Sequence, residues 1–324
     1  MSAVFIQLVL QLVTIYCKLG LGIGSGWLLG RWSSPNVPTL LGKCLFWIGV
    51  PISVFAFVRQ IDLSGSIWLA PTVAWAAMAT SLAIAWLWLR FGSQRLSRQS
   101  QGSFLLASTI GNTGYLGYPI SLAIAGESTF GWALFYDLLG SLLWGYGIGV
   151  MVASYYGQKE PTNVIRNMFT QVAINPALWS LVFGLLSRYF IFPAPIETGL
   201  KIVAWGVIFL AIMLIGMRLG SLQNSHKNSQ NNAQTSSEHL AQVKSSLLIK
   251  MLIVPLIFSL ILPLLGITKS ICLVLVLQIG MPPAFASLIV SETYQLDPDL
   301  AVRSLAFGTC LLLLTLPIWL LILH

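Results

Sequence analysis

Residues 111–119 read Gly111-Asn112-Thr113-Gly114-Tyr115-Leu116-Gly117-Tyr118-Pro119, and they lie in the middle of an otherwise apolar stretch, 103–125. Three glycines and a proline in nine residues do not hold a regular helix. Proline lacks the N–H that a helix interior needs, and its ring clashes with the preceding turn. A second stretch, 271–291, is interrupted in the same way by Gln278-Ile279-Gly280-Met281-Pro282-Pro283. Both breaks fall inside apolar runs rather than at their edges.

Around these breaks the chain reads as a membrane protein. It has 324 residues, of which 56% are hydrophobic and only 8% charged, whereas soluble domains carry about 25% charged residues. A transmembrane helix takes about 20 apolar residues, so the length holds roughly ten. Within lipid every backbone group must be paired internally, which leaves helices or a closed barrel. Continuous apolar runs, without alternating ten-residue strands, select helices. The expected spans are 4–30, 40–58, 67–89, 103–125 (interrupted), 130–155, 168–187, 202–219, 246–265, 271–291 (interrupted) and 300–323. The first lacks a basic leader and a small-residue cleavage site, so it reads as a retained span.

The net charge of +8 follows from loop placement. With the N-terminus outside, the connections after spans 1, 3, 5, 7 and 9 hold twelve lysines and arginines and the opposite side four, with Lys18 inside span 1 left out. This predicts a multi-pass protein of the plasma (inner) membrane with both termini outside the cytoplasm. Lys250 is counted among the cytoplasmic charges. The longest connection, 221–244, begins with a run of Ser, Asn and Gln and reads as a flexible cytoplasmic loop, with His226 and His239 as solvated histidines.

The breaks fall fourth of five and ninth of ten. Five is odd, so the second copy enters the membrane upside down. The fold class is therefore all-α and polytopic: ten transmembrane helices as two inverted five-helix repeats, 1–156 and 157–324, with broken helices 4 and 9. Discontinuous helices in matching positions of inverted repeats mark the binding site of secondary transporters. Each break frees N–H groups on one half-helix and C=O groups on the other. Pro119 and Pro283 suit the first position of the second half-helices, whose positive N-terminal ends suit a carboxylate. Candidate substrate-binding residues are Asn112, Thr113, Gly114, Tyr115, Pro119, Gln278, Met281, Pro282 and Pro283. The plainer alternative is that Pro and Gly only kink two helices.

At these residues the sequence resembles the auxin efflux carrier family, including its bacterial members. Gly111–Pro119 resembles that family's N-T-G-F-L-G-x-P signature, and Met281-Pro282-Pro283, followed by Ser291-Glu292-Thr293-Tyr294, resembles its second break. Gly49-Val50-Pro51, Asn175-Pro176-Ala177-Leu178 and Gly216-Met217-Arg218-Leu219-Gly220 match further, so the resemblance covers nearly the whole chain. It implies that the two broken helices cross. It also implies that a panel of spans 1, 2, 6 and 7 supports a moving bundle of spans 3–5 and 8–10, with elevator-type alternating access. The implied activity is transport of small organic anions, such as auxin or dicarboxylates. The long central loop of the plant carriers is absent here, so auxin is not implied.

Asp137 in span 5 and Lys18 in span 1 are intramembrane charges, which are costly and face a cavity or a partner. They are candidates for ion or proton coupling; a structural hydrogen bond and snorkelling to the boundary are the respective alternatives. Glu127 and Glu292 read as interfacial caps. Gly22, Gly26 and Gly30, and Gly216 and Gly220, recur every four residues and permit close helix approach, within the monomer or on a homodimer face. Cys17, Cys44, Cys272 and Cys310 lie in apolar spans without CxxC spacing and read as packed hydrophobes. No metal or other cofactor is expected, and no basic stripe with exposed aromatics suggests nucleic acid. An enzyme is disfavoured, because HExxH and GxSxG are absent and the histidines lie in a loop or at the C-terminus. Two rivals remain: a sodium-coupled organic-anion symporter of the bile-acid or pyruvate type, and a sensor built on a transporter fold.

Overall fold

The structure, a computed structural model, describes residues 3–34, 36–61, 66–92, 96–157, 164–226 and 233–323. The described residues form thirteen helices: α1 (Ala3–Trp32), α2 (Asn36–Gln60), α3 (Leu69–Phe91), α4 (Arg98–Thr109), α5 (Gly117–Ala125), α6 (Glu127–Tyr156), α7 (Val164–Ala173), α8 (Pro176–Ser187), α9 (Ala194–His226), α10 (233–264), α11 (Lys269–Ile279), α12 (Phe285–Thr293) and α13 (Pro298–Leu323). Among them, α2, α3, α6, α9, α10 and α13 are long and apolar enough to cross a membrane. Their exposed surface is rich in Leu, Ile, Phe and Trp, as a lipid-facing surface requires.

Several helices carry a wide π-helical turn: Leu45–Gly49 in α2, Tyr136–Ser141 and Gly145–Gly149 in α6, and Ile249–Ile253 in α10. Such turns insert one extra residue, re-aim the side chains around them and recur at functional sites. Asp137 and Lys250 both sit on them.

The chain divides into two compact units. The first takes Met1–Leu63, Tyr118–Gly131 and Asn175–Asn231. Its centre is the pairing of α1 with α9, where glycines bring the backbones together. A Cβ on Gly26 would stand 2.0 Å from the Met213 carbonyl oxygen, and one on Gly30 2.2 Å from that of Met217. From the other side, a Cβ on Gly216 would stand 2.0 Å from the Ile23 oxygen. The four-residue glycine spacing thus serves packing inside the chain. At one end of this unit Arg59, 6% exposed, donates to Glu197 at 2.9 Å, to the Phe190 carbonyl at 3.0 Å and to the Ser187 carbonyl. Its guanidinium lies 3.8 Å from the centre of the Phe192 ring. Glu127, at the start of α6, pairs with Lys201 at 2.6 Å.

The second unit takes Ser64–Gly117, Trp132–Ile174 and Asn232–His324. Here α3 lies against the π-turn of α6: a Cβ on Gly140 would meet that of Ala74 at 2.3 Å, and the Trp75 indole donates to the Leu139 carbonyl at 3.0 Å. The ends of several helices gather in one place. Arg98 of α4 donates to Tyr155 O at the end of α6 (2.6 Å). Ser100 and Ser103 of α4 donate to Asp297, which leads into α13 (both 2.7 Å). His239 of α10 lies 3.3 Å from Asp297 and 3.1 Å from Asp299, and Asp299 also receives Arg303 at 2.8 Å.

Four readings of the sequence change. Span 168–187 is two helices, because Asn175 leaves helical geometry and its side chain caps Ala177 N at 3.0 Å and Leu178 N at 3.3 Å, with Pro176 opening α8. The connection 221–244 is shorter than expected: α9 runs to His226 and helix resumes at Ala233, since extending an existing helix costs little; residues 227–232 lie outside the described ones. His239 is not a solvated loop residue but half-buried between two carboxylates. Lys250 is not a loop charge: it is 3% exposed inside α10. Cys17, Cys44 and Cys310 are exposed and Cys272 is buried.

Candidate functional site at the crossed breaks

The two interruptions meet inside the second unit. Helix α4 opens on Ser97, whose hydroxyl accepts from Ser100 N at 3.1 Å, and ends at Thr109. The chain then becomes extended at Ile110. Helix α11 ends at Ile279, and the chain is extended again by Ala284. Gly111 and Pro283 form an antiparallel bridge. Asn112 N donates to Pro282 O at 2.8 Å, and Ala284 N donates to Ile110 O at 2.9 Å. Buried backbone polar groups must be paired, and here each break answers groups freed by the other.

The turn that restarts the helix is local. Asn112 O accepts from Gly117 N at 3.1 Å and from Leu116 N at 3.3 Å, which closes 112–116 into α5. The prolines are not the first residues of the second half-helices. Pro119 is the third residue of α5 and Pro283 precedes α12. Pro119 still falls in the first turn, whose N–H groups have no intrahelical acceptor, and Pro283 spends its missing N–H in the extended bridge. Gly308 of α13 makes room for the pair, since a Cβ there would meet Pro283 at 2.8 Å and Pro282 at 3.1 Å.

Each of the three glycines in 111–117 seats a polar side chain. A Cβ on Gly111 would lie 3.1 Å from Lys250 Nζ, one on Gly114 3.2 Å from Asp137 Oδ2, and one on Gly117 2.3 Å from Gln278 Oε1. Lys250 Nζ also donates to Ile279 O at 2.9 Å. The Thr113 hydroxyl donates to Asp137 Oδ1 and, at 3.4 Å, to Gly111 O. Asn112, Thr113, Gln278 and Met281 are buried, as are Pro282 and Pro283, while Gly114 and Tyr115 are half-buried.

The structure therefore brings Asn112, Thr113, Gly114, Gln278, Met281, Pro282 and Pro283 to one crossing, with Asp137 beside it. Tyr115 lies in the same turn. Pro119 belongs to the first unit. The side chain of Lys18 lies outside the described residues. Lys250 was missed as a site residue because a lysine near a span's start counts as a loop charge. The available signal was its place inside the expected span 246–265, four residues from the start.

Residues 9–320 match a family described as membrane transport protein. The chain belongs to the membrane transport protein family. Within this family it is 25% identical over 282 residues to an uncharacterized transporter of Methanothermobacter thermautotrophicus, covering 86% of this chain and 87% of that one. It is 23% identical over 324 residues to an uncharacterized transporter of Methanocaldococcus jannaschii, covering 98% of this chain and 97% of that one. The membrane transport protein family is that of the auxin efflux carriers, so the resemblance seen at Gly111–Pro119 and Met281–Pro283 holds over almost the entire chain.

Proposed function

We propose that this transporter is a secondary carrier for a small organic anion, a carboxylate, working by elevator-type alternating access. The observation that carries the reading is the mutual pairing of the two unwound segments through Asn112 N–Pro282 O and Ala284 N–Ile110 O. That pairing leaves the N-terminal ends of α5 and α12 close to the crossing, with donors and partial positive charge to offer an anion. Asn112, Thr113, Gly114, Tyr115, Pro119, Gln278, Met281, Pro282 and Pro283 bind the substrate, and Asp137 carries the coupling proton or ion.

In this reading ten spans form two inverted repeats, and the reciprocal bonds between break and break support such a relation. The second unit is the moving body; it contains the stretches expected as spans 3, 5, 8, 9 and 10 and the first half of span 4. The first unit, with spans 1, 2 and 7, the part of span 6 from Asn175 and the second half of span 4, is the support and offers a homodimer face to a second copy. The gathering of the ends of α4, α6, α10 and α13 supports the alternation of connections, and the charge excess assigns that end to the cytoplasm of a plasma-membrane protein.

The test is electrogenic transport in proteoliposomes on a solid-supported membrane, with malate, malonate, oxalate and indoleacetate. Carboxylate-evoked currents that vanish in protein-free liposomes are expected. Folded protein that stays silent across these acids overturns the carboxylate reading. A strict sodium requirement selects the symporter instead.

A further inference from the structure

Helix α11 ends at the crossing with its last carbonyl, that of Ile279, free of an intrahelical donor, and α4 ends beside it at Thr109. Helix C-termini carry partial negative charge and favour cations. In carriers with broken helices, such ends and the unwound carbonyls are where a coupling cation sits. Here Lys250 already reaches that place. Its Nζ is 2.9 Å from the Ile279 carbonyl, the last of α11, and packs against Gly111, just past α4. Lys250 is 3% exposed. Among the described ion pairs none includes it. Its charge therefore falls to the carbonyl dipoles for compensation, because an ammonium in an apolar interior is costly without a partner.

Two further features fit a built position rather than an incidental one. Lys250 sits on the π-turn Ile249–Ile253, which aims it inward. Gly111, which it touches, leaves it no slack: a Cβ there would lie 3.0 Å from Lys250 Cε. Asp137 occupies the corresponding kind of turn in α6 and meets the same extended segment at Thr113 and Gly114. One basic and one acidic side chain thus flank residues 111–114.

We propose that Lys250 is a resident cation: its tethered ammonium fills the position that a coupling metal ion would take at the carbonyl end of α11, beside Gly111, and so makes the carrier indifferent to sodium. The proposal rests on the crossing being the transport site. It divides the electrostatics of the crossing in two. The lysine serves the negative end of α11, and the positive ends of α5 and α12 remain for the anion.

The test is the melting temperature of the purified full chain in detergent, in sodium chloride and in choline chloride at equal ionic strength. For the wild type the two salts give the same value. Lys250→Ala melts lower in choline chloride, by on the order of 5 °C, and sodium chloride recovers part of the loss. Lys250→Gln, which keeps a donor for Ile279 O without the charge, behaves likewise and replaces Lys250→Ala if the latter does not fold. Sodium-specific stabilisation of the wild type overturns the proposal, and so does a sodium-blind loss in both variants. The readout does not use transport. Carboxylate silence with this melting pattern overturns the carboxylate reading alone; carboxylate currents with a sodium-stabilised wild type overturn the resident cation alone.

Discussion

Gly117 and Gln278 fit against each other so closely that one added carbon would collide: a Cβ on Gly117 would stand 2.3 Å from Gln278 Oε1 and 2.8 Å from Nε2. Gln278 is fully buried, so its carboxamide has no open space to swing into. Gly117→Ala is expected to lower the melting temperature and to reduce carboxylate-evoked current about tenfold or more. Adding Gln278→Ala removes the obstacle. The double variant then melts higher than Gly117→Ala alone, a coupling that a melting-temperature cycle measures directly.

The crossing bonds of Asn112 run through its backbone N–H and C=O, not its side chain. Asn112→Ala therefore keeps the architecture and removes only the carboxamide. The expected outcome is a folded protein whose carboxylate current drops at least about tenfold, the scale of one lost polar contact to a charged ligand. Pro119→Ala is tested beside it. Normal currents in both would remove the substrate from these residues.

Thr113 gives Asp137 a hydroxyl donor at a buried position. Thr113→Val removes that donor while keeping the shape, at an expected cost of about 1 kcal/mol for a hydrogen bond lost to the half-buried Asp137. Thr113→Ser restores the donor and most of the stability. Denaturant or thermal unfolding of the three proteins side by side reads the difference. Equal stability of the valine variant would mean that Asp137 has no need of Thr113.

Membrane orientation is open to a chemical test. Cys17, Cys44 and Cys310 are exposed, so they are first replaced by Ala. Ser229→Cys then places a single reporter in the connection between α9 and α10. A membrane-impermeant maleimide is expected to label it in inside-out vesicles and not in intact cells. The reverse pattern would invert the topology.

The breaks were legible in the sequence because Gly and Pro cluster there and act on the backbone locally, whereas the single prolines Pro263 and Pro317 are carried inside helices. That the breaks pair with each other was not legible from spacing, since Gly111 and Pro283 are joined only by the fold. The three glycines of 111–117 look in sequence like conformational freedom. In the structure they are clearances for Lys250, Asp137 and Gln278, each from a different helix. Composition could not separate the roles of the lysines either. Lys201 is a half-exposed ion-pair partner and Lys250 is buried at the crossing. Likewise His239 sits in a polar stretch, and the carboxylates that hold it come from the far end of the sequence.

The α1–α9 contact can be probed with two single substitutions. Gly26→Ala places a methyl 2.0 Å from a backbone oxygen that no rotamer change can move. It should cost roughly 1–3 kcal/mol, the range for overpacking, and lower the melting temperature accordingly. Gly20→Ala has nothing within 4 Å and should melt with the wild type.

Because backbone rather than side chain meets backbone along Gly26, Gly30 and Gly216, α1 and α9 have no rotamers with which to absorb relative sliding. The two helices form a girder that can tilt or translate only as one body. A side chain at Gly26, Gly30 or Gly216 would force the two backbones apart, while the outward faces, exposed at Leu21, Leu28, Leu29, Ile202 and Phe209, have room to exchange one apolar residue for another.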